Sequence, residues 1–257
     1  MTNLFRNIFA ATTALTAAVG FAPAQAAPAN AVKNIVLVHG AFVDGSGWKA
    51  ISEILTKKGY KVSVVQPPET SFEEDVAATN RVLDQLDGPA VLVGHSYGGA
   101  IITEAGNNPH VKNLVYVAAL QPDAGESAGQ LLASKPAATN YIVPSKDGFL
   151  TILPEHFQDA FAADLPRAEV AFIAMSQVGT SVKAISTPIT SPAWKTKPSF
   201  AIVATQDRAI NPDLERQMYA RSKAITKEIV ASHAVYISQP RAVADVIEQA
   251  ARAAAGM

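Results

Sequence analysis

Between residues 90 and 105 the chain reads as a strand, a sharp turn and a helix, with a serine at the turn. Ala90-Val91-Leu92-Val93 is a short apolar run, Gly94-His95-Ser96-Tyr97-Gly98 follows it, and Gly99-Ala100-Ile101-Ile102-Thr103-Glu104-Ala105 has helical composition. A G-x-S-x-G pentapeptide in that setting describes a nucleophile elbow, a strained turn that exposes the serine hydroxyl at the edge of a sheet. Glycines flank the serine because strand and helix backbones come close there and leave little room for Cβ atoms. A chance match in a loop would lack the strand before it and the helix after it.

The same alternation runs along most of the chain. Asn34 to His39 reads as a buried strand, Gly47 to Lys58 as a helix closed by Gly59, and Lys61 to Gln66 as a strand stopped by Pro67-Pro68. Ser71 and Glu74 have capping-box spacing and start a helix to about Leu86. After the elbow come Asn113 to Ala118, Ser199 to Thr205 and Thr226 to Val230 as strands, with helices from Asn211-Pro212 to Lys223 and from Ser238 to Ala254. Strands alternating with helices imply an α/β domain, a mostly parallel sheet with helices on both faces. Residues 121–197 break the rhythm. They are rich in Pro, Gly, Ser and Ala and show no strand periodicity, but include helix-like pieces such as Pro154–Ala163 and Arg167–Gln177. Their Leu, Ile and Phe content is too high for disorder, and a segment of that length inserted in a compact domain predicts a lid.

Composition narrows the function classes. The 21 Lys and Arg stand against 22 Asp and Glu without a long run of either sign, which speaks against nucleic acid or an anionic membrane surface as partner. There is no cysteine, so neither a disulfide framework nor thiolate chemistry is available. The five histidines show no close metal-ligand spacing, and neither a metal nor a cofactor is expected. Met1 to Ala26 has a basic start, an apolar Ile8–Phe21 stretch and Ala24-Gln25-Ala26 before the cut, the pattern of a secretory signal peptide. The apolar stretch falls short of the roughly 20 residues that a membrane span needs. The expectation is an exported protein, periplasmic or secreted, with one domain over residues 27–257 and the lid at 121–197.

A serine nucleophile needs an adjacent base, itself oriented by a third group. In the strand–elbow–helix arrangement the chain order is serine, acid, histidine. Of the histidines after Ser96, His110 stands at a helix end, His156 lies in the lid, and His233 follows the last strand. His233 is therefore the expected base. Asp207 follows the strand Phe200–Thr205 at the edge where open α/β sheets gather their sites, and is the expected acid. Asp123 and Glu126 stand as alternatives, and Asp213 fits a helix N-terminus better. The oxyanion of a tetrahedral intermediate would accept from the backbone N–H of Tyr97 and of Ala41, in His39-Gly40-Ala41-Phe42. His39 is expected to shape that loop by hydrogen bonding.

Taken together these residues resemble the α/β-hydrolase superfamily over residues 33–254. Within it the chain is similar to the small branch of plant methyl-ester esterases, plant hydroxynitrile lyases and their bacterial esterase relatives. The resemblance rests on His39-Gly40-Ala41-Phe42, Gly45-Ser46-Gly47-Trp48, Gly94 to Gly99, Asp207-Arg208-Ala209-Ile210, Ser232-His233-Ala234 and Ser238-Gln239-Pro240. The plant lyases of this branch carry threonine at the position of Gly40 and lysine at that of Ala234, so the resemblance implies hydrolysis rather than cyanide elimination. It implies Ser96, Asp207 and His233 acting on a carboxylic ester, and the Phe and Leu content of the lid points to a small, apolar or aromatic one. Cofactor-free perhydrolases share the same three residue types, and some proteins of this fold only bind a ligand. Both stand as alternatives, and the oligomeric state is open.

Overall fold

The computed structural model describes residues 32–254. The signal peptide expected over residues 1–26 and the domain start at residue 27 lie outside the described residues. The first half runs β1 (Asn34–Val38), α1 (Lys49–Lys57), β2 (Lys61–Val65), α2 (Phe72–Leu83), β3 (Ala90–Ser96), α3 (Gly98–Ala105) and β4 (Val111–Ala119). The insertion holds α4 (Ala128–Ser134), β5 (Ile142–Pro144), β6 (Phe149–Ile152), α5 (Phe157–Phe161), α6 (Arg167–Met175), β7 (Thr180–Ser181) and α7 (Val182–Ser186). The chain then closes with β8 (Ser199–Ala204), α8 (Pro212–Arg221), β9 (Ile225–Ile229), α9 (Val235–Ser238) and α10 (Pro240–Ala253).

Six strands form one sheet in the order β2-β1-β3-β4-β8-β9, and every pair in it is parallel. The central strands β1, β3 and β8 are buried at every residue. That is why they read as unbroken apolar runs: a parallel sheet covered on both faces leaves no polar side. Alternate residues serve opposite faces. Ile35, Leu37, Val91 and Val93 pack with Ile51 and Leu55 of α1 and with Val243 and Ile247 of α10. Val36, Val38 and Leu92 pack with Ile101 of α3 and with Leu214 and Met218 of α8. Each such fully buried aliphatic side chain contributes roughly 1.5–3 kcal/mol.

Local chemistry sets the helix ends. The Ser71 hydroxyl accepts the Glu74 N–H at 3.2 Å, and the Asn211 side chain accepts that of Asp213 at 3.0 Å ahead of α8. The final helix is split into α9 and α10, because Pro240 begins a new helix rather than continuing the old one.

At the elbow Ser96 has a φ of 53°, in the left-handed region, where β3 turns into α3. A Cβ on Gly94 would lie 2.5 Å from the Gly98 carbonyl oxygen, a contact that backbone alone would have to relieve. Gly94→Ala is expected to destabilise the protein by about 1–3 kcal/mol, the usual scale of core overpacking. A denaturant titration would read this, and an unchanged midpoint would contradict the close approach.

The insertion departs from the sequence expectation in one respect. It contains a three-stranded antiparallel sheet, β5-β6-β7, with Ile142 opposite Ile152 and Leu150 opposite Thr180. Strands of three, four and two residues are too short to display a period of two. The helix-like pieces are present as α5, preceded by a 3-10 turn at Pro154–His156, and as α6.

Candidate active site

Three sheet strands deliver the expected residues to one edge. Ser96 ends β3, Asp207 follows β8, and His233 follows β9. Because all strands run the same way, their C-termini share an edge, and residues more than a hundred positions apart become neighbours. His233 Nε2 stands 2.8 Å from Ser96 Oγ, and His233 Nδ1 stands 2.6 Å from Asp207 Oδ2. The other Asp207 oxygen, Oδ1, accepts the backbone N–H groups of Ala209 and Ile210 at 2.7 and 2.9 Å, which fixes the carboxylate plane. All three side chains are buried.

The peptide around His233 is held from several sides. The Ser232 N–H donates to Asp164 at 3.1 Å and the Ala234 N–H to the Phe161 carbonyl at 2.9 Å, both partners lying in the insertion. His95 Nε2 lies 3.0 Å from the His233 carbonyl. Burial holds His95 well below the usual histidine range, so the ring is neutral and its Nε2 proton donates to that carbonyl. Behind Asp207 lies Glu215, fully buried, accepting the Ala204 N–H at 3.2 Å. Burial, then the Asp207 charge, pushes Glu215 well above the ordinary carboxylate range.

The expected oxyanion residues, Ala41 and Tyr97, both line the cavity that contains Ser96. Gly40 brings the loop against Ser96: a Cβ there would sit 2.5 Å from Ser96 Cβ. A threonine at this position therefore does not fit the present elbow. Ala234 is fully buried and carries no cation into the site. His39 is buried, with Nδ1 3.0 Å from the Gly40 carbonyl and 3.3 Å from Glu69 Oε1. Burial works to lower its pKa, but Glu69 outweighs this and holds it above the ordinary value.

The alternative candidates are engaged elsewhere. Asp123 pairs with Lys195, Glu126 with Arg221, and Asp213 with Arg216. His110 Nδ1 contacts the Gly88 carbonyl at 3.1 Å, and His156 stacks on Tyr141 with ring centroids 4.0 Å apart. Among the described residues no group of three His, Asp or Glu is arranged to hold a metal ion, and no helix is long and apolar enough to cross a membrane.

Above Ser96 the insertion roofs a cavity of about 360 Å³. Leu120, Leu132, Leu150, Ile152, Phe161 and Ile210 are among its apolar lining residues, with Thr139 and Asn140 among the polar ones. None of its lining residues is Asp, Glu, Lys or Arg. A second cleft, of about 460 Å³, lies between residues 43–53 and α6 and includes none of Ser96, Asp207 and His233.

Sequence reasoning missed Glu69, Asp75, His95, Thr180 and Glu215. His95 occupies a variable position of the pentapeptide. Asp75 and Glu215 carried no signal, because a carboxylate in the first turn of a helix is the ordinary choice on an exposed surface.

The alpha/beta hydrolase family model matches residues 35–246. Alpha/beta hydrolase nvfD of Aspergillus novofumigatus is 29% identical over 242 residues, covering 84% of this chain and 96% of that protein. Pyrethroid hydrolase of Sphingobium wenxiniae is 27% identical over 256 residues, covering 87% and 89%. Among solved structures, polyneuridine aldehyde esterase superposes with a TM-score of 0.72 at 18% identity, over 85% of this chain and 98% of that one. That likeness is one of fold. With a family match over this span and the elbow in place at Ser96, the chain belongs to the α/β-hydrolase family.

Proposed function

We propose that this protein is a carboxylic-ester hydrolase in which Ser96 is acylated, His233 moves the proton and Asp207 orients the imidazole. The observation that carries the reading is the 2.8 Å contact between His233 Nε2 and Ser96 Oγ at the floor of an apolar cavity. His233 Nε2 takes the hydroxyl proton as Ser96 Oγ attacks the ester carbonyl carbon. The carbonyl oxygen becomes an oxyanion that accepts from the Ala41 and Tyr97 N–H groups. The intermediate collapses, the C–O bond to the alcohol breaks, and the imidazolium returns its proton to the leaving oxygen. Water, deprotonated by His233, then releases the acid and restores the serine. Asp207 stays ionised and stabilises the imidazolium.

The walls of the cavity support one substrate class. A charged acyl or alcohol group entering this cavity would lose its hydration with no counter-ion to meet it, at a cost of several kcal/mol. An uncharged ester of modest size, apolar or aromatic, is the fitting occupant. Naming of similar proteins as a pyrethroid hydrolase and an esterase supports the same reading.

The test is acid quenching during turnover of p-nitrophenyl acetate and a panel of uncharged aromatic esters, followed by peptide mass analysis. One acyl increment is expected on the peptide that contains Ser96. Failure to turn over any ester, or turnover with the increment on another residue, would reject the proposal.

A further inference from the structure

The two stretches of backbone that would supply the oxyanion hole are joined by a buried polar network. Glu69 lies between Pro67-Pro68 and α2, with a left-handed φ of 57°. Its N–H donates to Asp75 Oδ1 at 2.7 Å, and Asp75 Oδ2 accepts from the Tyr97 hydroxyl at 2.7 Å. Its carboxylate accepts from the Thr180 hydroxyl and also lies beside His39 Nδ1. Thr180 Oγ1 in turn accepts the Phe42 N–H at 3.2 Å, next to Ala41. The Glu69 carbonyl accepts the Ser181 N–H at 2.8 Å. Glu69, Asp75 and Thr180 are wholly buried.

Such a cluster is costly. Burial pushes Asp75 up to about 6 and raises Glu69 above the ordinary carboxylate value. Buried charged networks of this kind are often no more stable than apolar packing of the same volume, so stability alone does not account for it. Its two ends do. One reaches the loop 39–42 through His39 and Phe42, and the other reaches Tyr97. Phe42 itself has a φ of 69°, a left-handed conformation that needs outside support in a non-glycine residue. Neither Glu69, Asp75 nor Thr180 lines the cavity.

We propose that Glu69, Asp75 and Thr180 are positioning residues that set the spacing between the Ala41 and Tyr97 N–H groups. Thr180 belongs to β7, so the insertion that roofs the cavity also completes the support of the hole. The inference rests on the proposed esterase reading, in which those two N–H groups hold an oxyanion.

Thr180→Val keeps the side-chain outline but removes the hydroxyl that links Phe42 to Glu69. Because the hole acts on the transition state, kcat is expected to fall about 10- to 100-fold, less than or equal to the loss of a whole donor, with KM nearly unchanged. Thr180→Ser should recover most of the loss. Tyr97→Phe, which cuts the other end of the network, should move kcat in the same direction and covers the case in which the valine variant does not fold. A trifluoromethyl ketone, which forms a tetrahedral adduct on the serine, should lose affinity by the same factor, while an alcohol product analogue should bind as before. Folded variants with wild-type kcat and wild-type trifluoromethyl ketone affinity would overturn the positioning role. So would equal losses for both inhibitors. Labelling of Ser96 by a fluorophosphonate separates this from the esterase reading. If the wild type labels at Ser96 but cleaves no ester, the substrate assignment fails, and slower labelling of Thr180→Val alone still supports the positioning role.

Discussion

Ser96→Ala is expected to lower kcat for ester hydrolysis by about 10⁴- to 10⁶-fold, with the thermal midpoint close to wild type. The size follows from the way a serine, histidine and aspartate act as a unit: once the nucleophile is gone, the base has nothing to activate. What survives is the contribution of the oxyanion donors and of binding, which act on an attacking water instead. Ser96→Ala combined with His233→Ala should therefore be no slower than Ser96→Ala alone. Stability should hold because Ser96 contributes to the fold through its backbone. Its carbonyl accepts the Leu120 N–H at 3.1 Å, and alanine in the left-handed region has the same Cβ to place. Steady-state rates with a p-nitrophenyl ester, checked for trace wild-type enzyme, measure the effect. A variant that keeps substantial turnover would remove Ser96 from the chemistry.

Asp207→Asn is expected to cost about 10⁴-fold in kcat, by an electronic rather than a steric route. Two backbone N–H groups, of Ala209 and Ile210, point at Asp207 Oδ1. An asparagine would place its carbonyl oxygen there and turn its NH₂ toward His233 Nδ1. That nitrogen would then have to accept, the ring proton would move to Nε2, and Nε2 would face Ser96 as a donor. The base would be disabled with every heavy atom near its original position. Nitrogen-resolved NMR of His233 should show the exchanged tautomer, and a variant with the wild-type tautomer and full rate would contradict the argument. Asp207→Ala should be similarly impaired in rate but also less stable, since both backbone donors lose their acceptor.

Legibility from sequence followed locality. Ser96 was readable because strand, turn and helix are contiguous, and the central strands were readable because burial on both faces forces continuous apolar runs. Asp207 and His233 were readable from chain order and strand-end position, although the contacts between them depend on β8 and β9 lying side by side. The short strands β5, β6 and β7 left no periodic trace. Asp75 and Glu215 were invisible for another reason. Each sits in the first turn of its helix, where an acid ordinarily faces water and favours the helix dipole. Only tertiary packing makes them buried, and no local pattern distinguishes the two environments.

The strand order also bears on when activity first appears along the folding route. β4 pairs with β8 although residues 120–198 intervene, while β1 to β4 are linked by much shorter connections. Closing the longer loop carries the larger entropic cost, and contacts of greater sequence separation form more slowly. Ser96 lies on the near side of that loop and Asp207 and His233 on the far side. A chain that has assembled only β1 to β4 holds Ser96 without the histidine proposed as its base. Reactivity toward a fluorophosphonate would thus report the docking of β8 and β9, giving a chemical stopwatch for the last stage of folding.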